Sequence, residues 1–136
     1  MNPAPSAASW RAVLLEETAG TPSYGLYAST DTGRPAVQMT IGGNSVMVVG
    51  PKALPQNQWS HLAATYDGTA LHLYVNHAEV ASQVATGTIA ASSGTLQIGG
   101  SAVSGQYFAG VIDEVRVYNR ALTQKAIQAD QNTAIK

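Results

Sequence analysis

The chain has 136 residues, 45% of them hydrophobic and only 11% charged. That is the size of one domain and the composition of a core-former, which excludes a wholly disordered protein. Its formal net charge of −1, with seven Lys plus Arg scattered singly, supplies no basic stripe to neutralise phosphates and argues against nucleic acid as a partner.

Thirteen Gly, six Pro and short apolar runs between turn residues, recurring roughly every 8 to 12 residues, predict an all-β antiparallel sandwich or barrel. Residues 1–9 are rich in Pro, Ala and Ser and read as a disordered or loop-like segment, because Pro3 and Pro5 lack a ladder donor. They do not read as a secretory signal. The sandwich domain is placed at 10–136. A strand is predicted from Trp10 to Leu15, apolar on both faces. A hairpin follows, with Tyr24 to Ala28 as one strand and Asp31-Thr-Gly33 as turn chemistry. Val37, Met39 and Ile41 alternate with Gln38 and Thr40, so one face enters a core. After Gly42-Gly-Asn44, residues 46–49 form another strand that Gly50-Pro51 ends. The strongest hairpin joins 59–66 to 71–75 through Asp67-Gly68, with Leu71, Leu73 and Val75 on one face and His72 and Tyr74 on the other. Asn76-His77 sits where another tight turn belongs, and His there is a costlier choice than Gly. Strands at 79–84, 94–100 and 111–118 continue the rhythm, and Gly99-Gly100 allows a close backbone approach. Thr123 is placed to cap a short helix over 124–130 that packs Leu122 and Ile127 onto the sandwich. No run approaches the roughly 18 to 20 unbroken apolar residues of a membrane helix, so membrane insertion is not expected. Zero cysteines exclude a disulfide scaffold and a Cys-based zinc site.

The series Trp59-Ser-His-Leu-Ala-Ala-Thr-Tyr-Asp-Gly68, Leu71-His-Leu-Tyr-Val-Asn76, Leu96-Gln-Ile-Gly-Gly100 and Tyr107-Phe-Ala-Gly-Val-Ile-Asp-Glu-Val-Arg-Val-Tyr-Asn-Arg-Ala-Leu-Thr123 resembles the motifs of the laminin-G-like jelly rolls. These belong to the concanavalin A-like lectin and glucanase superfamily. The resemblance covers most of Trp10 to Asp130 and keeps motif order. It implies two antiparallel sheets stacked face to face, in a non-catalytic extracellular or cell-surface module that binds glycans or proteins, sometimes with calcium. Two departures stand out. Members commonly carry Asn-Gly where this chain has Asn76-His77, and they carry further strands before the segment that begins here at Trp10. A sandwich short of strands exposes unpaired backbone groups and an apolar face. A homodimer or higher homo-oligomer, completing the sandwich with a second copy, is the expected remedy.

Glucanase relatives work with two carboxylates on one strand face. Glu16/Glu17 and Asp113/Glu114 are sequence neighbours that point to opposite faces of a strand, and a Glu-x-Asp-x-x-Glu spacing is absent, so no catalytic pair is expected. His61, His72 and His77 lack helical spacing with a Glu for a zinc hydrolase. His61 and His72 are expected as cross-strand neighbours in one hairpin, and His77 as a turn residue. Asp113, flanked by Val111, Ile112, Val115 and Val117, needs a partner if buried, and Arg116 and Arg120 are candidates. The resemblance offers Asp113 a second role as a ligand to a structural calcium, although calcium takes six to eight oxygens and one carboxylate is too few. Among the aromatics, Trp59 reads as core. Tyr24, Tyr27, Tyr74 and Tyr107, with polar or Gly neighbours, are the candidate platforms for a carbohydrate or protein ligand.

Overall fold

The computed structural model describes residues 1–5, 7–18, 21–101 and 103–135. Its strands, in chain order, are β1 (Asn2–Pro3), β2 (Arg11–Thr18), β3 (Thr21–Ser29), β4 (Ala36–Ile41), β5 (Asn44–Val49), β6 (Leu62–Tyr66), β7 (Ala70–Val75), β8 (Ala78–Val84), β9 (Leu96–Ile98) and β10 (Gly110–Val111), followed by the helix α1 (Gln124–Gln131). All pairings are antiparallel. A five-stranded sheet has the order β5-β4-β3-β2-β9, a three-stranded sheet the order β6-β7-β8, and β1 pairs with β10. This is the jelly-roll sandwich expected of the sequence.

Period-two alternation builds the core between the sheets. Val37, Met39 and Ile41 of β4 and Val48 of β5 pack in one cluster with Leu71 and Leu73 of β7. Both leucines are fully buried, and each contributes about 1.5 to 3 kcal/mol relative to exposure. A second cluster of Ala12, Leu15, Tyr27 and Ala36 has Trp10 packed against it. The Trp10 ring meets Tyr27 edge-on at a centroid distance of 5.0 Å. Gly25 is required by this packing, because a Cβ there would stand 2.8 Å from Leu15 Cδ1 and 2.9 Å from the Tyr27 hydroxyl.

Turn chemistry sets the hairpins. Asp67 Oδ1 accepts from the Thr69 backbone N–H at 2.8 Å, the Thr69 hydroxyl at 2.7 Å and the Ala70 N–H at 2.8 Å, while Gly68 takes φ 93°. Asn76 and His77 both adopt positive φ, 49° and 61°, so the turn keeps the primed geometry that matches strand twist. The His side chain is accommodated by a contact of Nδ1 with Gln131 Oε1 at 3.1 Å. Thr123 caps α1, its hydroxyl accepting from the Ala126 N–H.

Four expectations change. Within 1–9, expected as a loop, Asn2–Pro3 is a strand, and Met1 and Pro3 are buried. Of the strand expected over 111–118, only Val111 belongs to a ladder among the described residues, and Glu114 at φ 56° takes the segment out of extended geometry. Trp59 is 56% exposed, since it precedes β6 in a loop and is not part of the strand. His61 and His72 are not opposite one another: Thr65 faces His72, and His61 meets Asn76. His72 lies between Asp67 at 3.8 Å and Glu79 at 3.2 Å.

Candidate functional site

The second layer of the sandwich is joined at one end and open along the rest. At the joined end β1 is gripped on both edges. The Met1 amino group donates to Ser60 O at 2.9 Å, and the Ser60 N–H donates back to Met1 O at 2.9 Å. Asn57 N–H donates to Pro3 O at 2.8 Å. On the other edge Asn2 faces Val111 and Pro3 faces Gly110, and the Ala4 N–H donates to Ala109 O at 2.9 Å. Gly110, at φ 142°, makes this approach feasible, because a Cβ there would stand 2.2 Å from Asn2 O.

Beyond β1 the two sides face each other, with no strand between them among the described residues. The Asn76 N–H donates to His61 O at 2.8 Å, and the His61 N–H donates to Asn76 Oδ1 at 2.9 Å, so His61 turns its backbone groups toward β7. By antiparallel alternation the N–H and C=O groups of Leu62, Ala64 and Tyr66 therefore project away from β7. On the opposite wall Ala109 and Val111 turn their backbone groups toward β1, and beyond them Glu114 takes φ 56°, so 112–118 does not continue as a regular strand. Among the described residues β6 belongs to no ladder on the side away from β7. The outer wall is held instead by its side chains. Glu114, Arg116 and Tyr118 recur at every second position and reach the C-terminal region. Arg116 Nη1 donates to Asp130 O at 2.6 Å, Arg116 Nη2 lies 3.5 Å from Glu114 Oε2, and the Tyr118 hydroxyl donates to Asp130 Oδ2 at 2.6 Å. With His77 bonded to Gln131, α1 links the two walls.

The result is a cleft of about 390 Å³. Its floor is the five-stranded sheet, through Val13, Leu26, Val37 and Met39; its walls are residues 61–66 and 112–120; and Ile127 of α1 borders it. His61 stands in the wall with its Nδ1 buried and unpartnered. Burial, then the nearby N-terminal charge, pushes its pKa below the ordinary value.

The four candidate tyrosines occupy different places, and no two of their rings touch among the described residues. Tyr24 lines the cleft and donates to Glu16 Oε2 at 2.7 Å. Burial, then that bond, pushes its pKa up to about 12. Tyr27 and Tyr74 are buried. Tyr107 is 71% exposed and lies across Gly100, where a Cβ would stand 2.4 Å from its ring, the close approach anticipated for that glycine pair. Asp113 is exposed and not buried, so no buried charge requires compensation. Its Oδ1 accepts from the Glu114 N–H at 2.8 Å, and Arg116 pairs with Glu114 and Asp130. Among the described residues no group of three or more His, Cys, Asp or Glu could hold a metal.

The residues that make the cleft, Met1, Ser60, Leu62, Ala64 and Val115, carry no chemical signature in the sequence.

Comparison with known proteins gives the following. The laminin G sequence model described as the concanavalin A-like lectin/glucanases superfamily matches residues 1–128. Pappalysin-1 of Mus musculus is 37% identical over 81 residues, and Pappalysin-1 of Homo sapiens is 40% identical over 81 residues. Each match covers 56% of this chain and 5% of that protein, so the chain spans about a twentieth of the length of the curated relatives it matches. Among solved structures, an S-layer domain-containing protein (residues 221–444) from Clostridium thermocellum aligns at TM-score 0.47 and 21% identity, covering 91% of this chain and 63% of that one.

Proposed function

The chain belongs to the concanavalin A-like lectin/glucanases superfamily, and from that premise we propose that it is a non-catalytic binding module whose ligand is a polypeptide seated in the cleft between β6 and residues 112–120. An extracellular or cell-surface setting is part of this reading and is taken from the family. The observation that carries it is the cleft itself, with an aliphatic floor of Val13, Leu26, Val37 and Met39 between walls formed by residues 61–66 and 112–120. A glycan ligand draws less support, because sugar rings stack on grouped aromatic faces and the candidate tyrosines are dispersed. Glycoside hydrolysis draws less still: Glu16 is engaged with Tyr24, and Glu17 is buried against the Ser101 hydroxyl.

The test is a peptide display selection against the immobilised chain, run beside a glycan array with and without calcium. Peptides that bind in the cleft, lost on Ala64→Arg with circular dichroism unchanged, are the expected outcome. A glycan hit indifferent to Ala64→Arg would overturn the reading.

A second reading, self-association, is favoured by one observation. Among the described residues β9 is the last strand in the order of the five-stranded sheet, with Leu96 43% and Ile98 54% exposed, and such exposed apolar side chains are a surface that a second copy can cover. Light-scattering chromatography at micromolar protein tests it, and a monomeric peak would count heavily against it.

A further inference from the structure

We infer that a second cavity, at the end of the sandwich where residues 3–8, 29–35 and 50–57 converge, receives an acidic side chain of a partner polypeptide, with Arg11 as the residue that takes its carboxylate. The site goes beyond the cleft: it holds about 220 Å³ and shares no lining residue with it.

The topology gathers these three segments at one end. Residues 3–8 lead from β1 to β2, 29–35 carry the turn from β3 to β4, and 50–57 leave β5 for β6. Backbone bonds fasten them. The Thr30 N–H donates to Arg34 O at 3.0 Å, the Gly50 N–H to Pro35 O at 2.8 Å, and the Asn57 N–H to Pro3 O at 2.8 Å.

Arg11 lines the cavity from the first position of β2. Its Nε donates to the Ser9 hydroxyl at 3.3 Å, its Nη1 is buried without an acceptor, and among the described residues no Asp or Glu forms an ion pair with it. Arg116, by contrast, has both Glu114 and Asp130. A charge partly withdrawn from water without a counter-charge is costly, and a carboxylate beside it offsets that cost. The planar guanidinium also matches the two oxygens of a carboxylate.

The surroundings add to the attraction. Arg34 follows Gly33 and Lys52 precedes Ala53, both in the cavity wall. Residues 3–11, 29–35 and 50–57 thus hold three cations, Arg11, Arg34 and Lys52, against one acid, Asp31, which is +2 in a chain of net charge −1. A field of that sign favours an anionic partner.

The wall selects the carrier of the carboxylate. Ala4, Ala8, Ala28 and Leu54 are aliphatic, and the Ser29 hydroxyl is spent on Thr30 O at 3.0 Å. The methylene stem of Asp or Glu lies against such a wall without losing hydrogen bonds. A sugar acid carries hydroxyls around its ring, and each needs a partner that an aliphatic wall does not supply.

The experiment titrates the full chain, labelled with ¹³C at its alanine methyls, with acetyl-Ala-Glu-Ala-amide, its Gln counterpart and methyl glucuronide. The Glu peptide should shift the Ala8, Ala28 and Ala53 methyls saturably, and the Gln peptide should bind more weakly by about tenfold or more, because a hydrogen bond to a charged group is lost. Arg11→Gln should abolish the shifts. Ala53→Phe, at an exposed wall position that leaves Arg11 in place, should block the site, which keeps the test decisive if Arg11→Gln does not fold. Equal binding of the Glu and Gln peptides, or shifts that persist in Arg11→Gln, would overturn the role of Arg11. Saturation by methyl glucuronide without saturation by the Glu peptide would overturn the choice of a polypeptide in favour of a glycan. Silence from every probe would overturn the site and leave the cleft reading, which rests on other residues, standing.

Discussion

At the scale of single residues, charge and turn geometry make the clearest predictions. Three donors on Asp67, the Thr69 hydroxyl first, hold its carboxyl down to about 2 from an ordinary 3.8. The folded value is the lower one, so the stabilisation is whole above 3.8 and is lost as pH falls through about 2. Asp67→Ala should lower the melting temperature at pH 7, and the difference from the parent should vanish below pH 2 in a thermal melt series. His61 has the same sign for a different cause. Burial depresses its pKa below 6.5, so its contribution is present above 6.5 and fades as acid charges a ring that has no partner for Nδ1. His61→Phe should therefore flatten the acid limb of the stability curve. The Asp67-Gly68 turn was legible because each residue type answers a local geometric demand. Trp59 and Asp113 were not: their exposure depends on which segment lies beside them, and a run of sequence neighbours does not encode that.

At the scale of elements, the alternation of β4 and β7 named the core directly, since Val37, Met39, Leu71 and Leu73 are all buried. Leu73→Ala, at a site with no exposure, should cost about 2 to 5 kcal/mol in urea unfolding. Gly25→Ala should cost about 1 to 3 kcal/mol through overpacking against Leu15 and Tyr27. The same patterning misled at 111–118, where apolar residues flank charged ones as they would in a strand. A ladder also needs a neighbour, and that requirement is invisible in the segment's own residues. Side chains hold the segment in place of a ladder, and Arg116→Met should loosen 112–118 and speed its amide exchange with little change in β2 to β5. Residues 2–3 illustrate the converse. Pro3 spoke against pairing, yet its carbonyl accepts from Asn57, and Pro is tolerated where no donor is needed.

At the scale of the whole molecule, the two-layer architecture could be read from motif order, but the shape of the cleft could not, because it arises from three segments distant in sequence. Calcium in millimolar amounts should leave the melting temperature unchanged. A rise abolished by Asp113→Ala would instead place an ion there. Gly110→Ala, with its Cβ directed at Asn2 O, should displace β1 and free both walls. Because β1 joins those walls where Met1 and Ser60 exchange bonds and α1 joins them through Arg116 and His77, drawing residues 112–118 away from β6 loads those links one after the other. Load concentrates at the tip, so bonds along this seam give way in succession and separation needs little force. Tension applied along β4, flanked by ladders on both edges, is shared by many bonds in shear. The domain is mechanically anisotropic, compliant across one seam and stiff along its large sheet, and the direction in which a tether pulls decides which behaviour is felt.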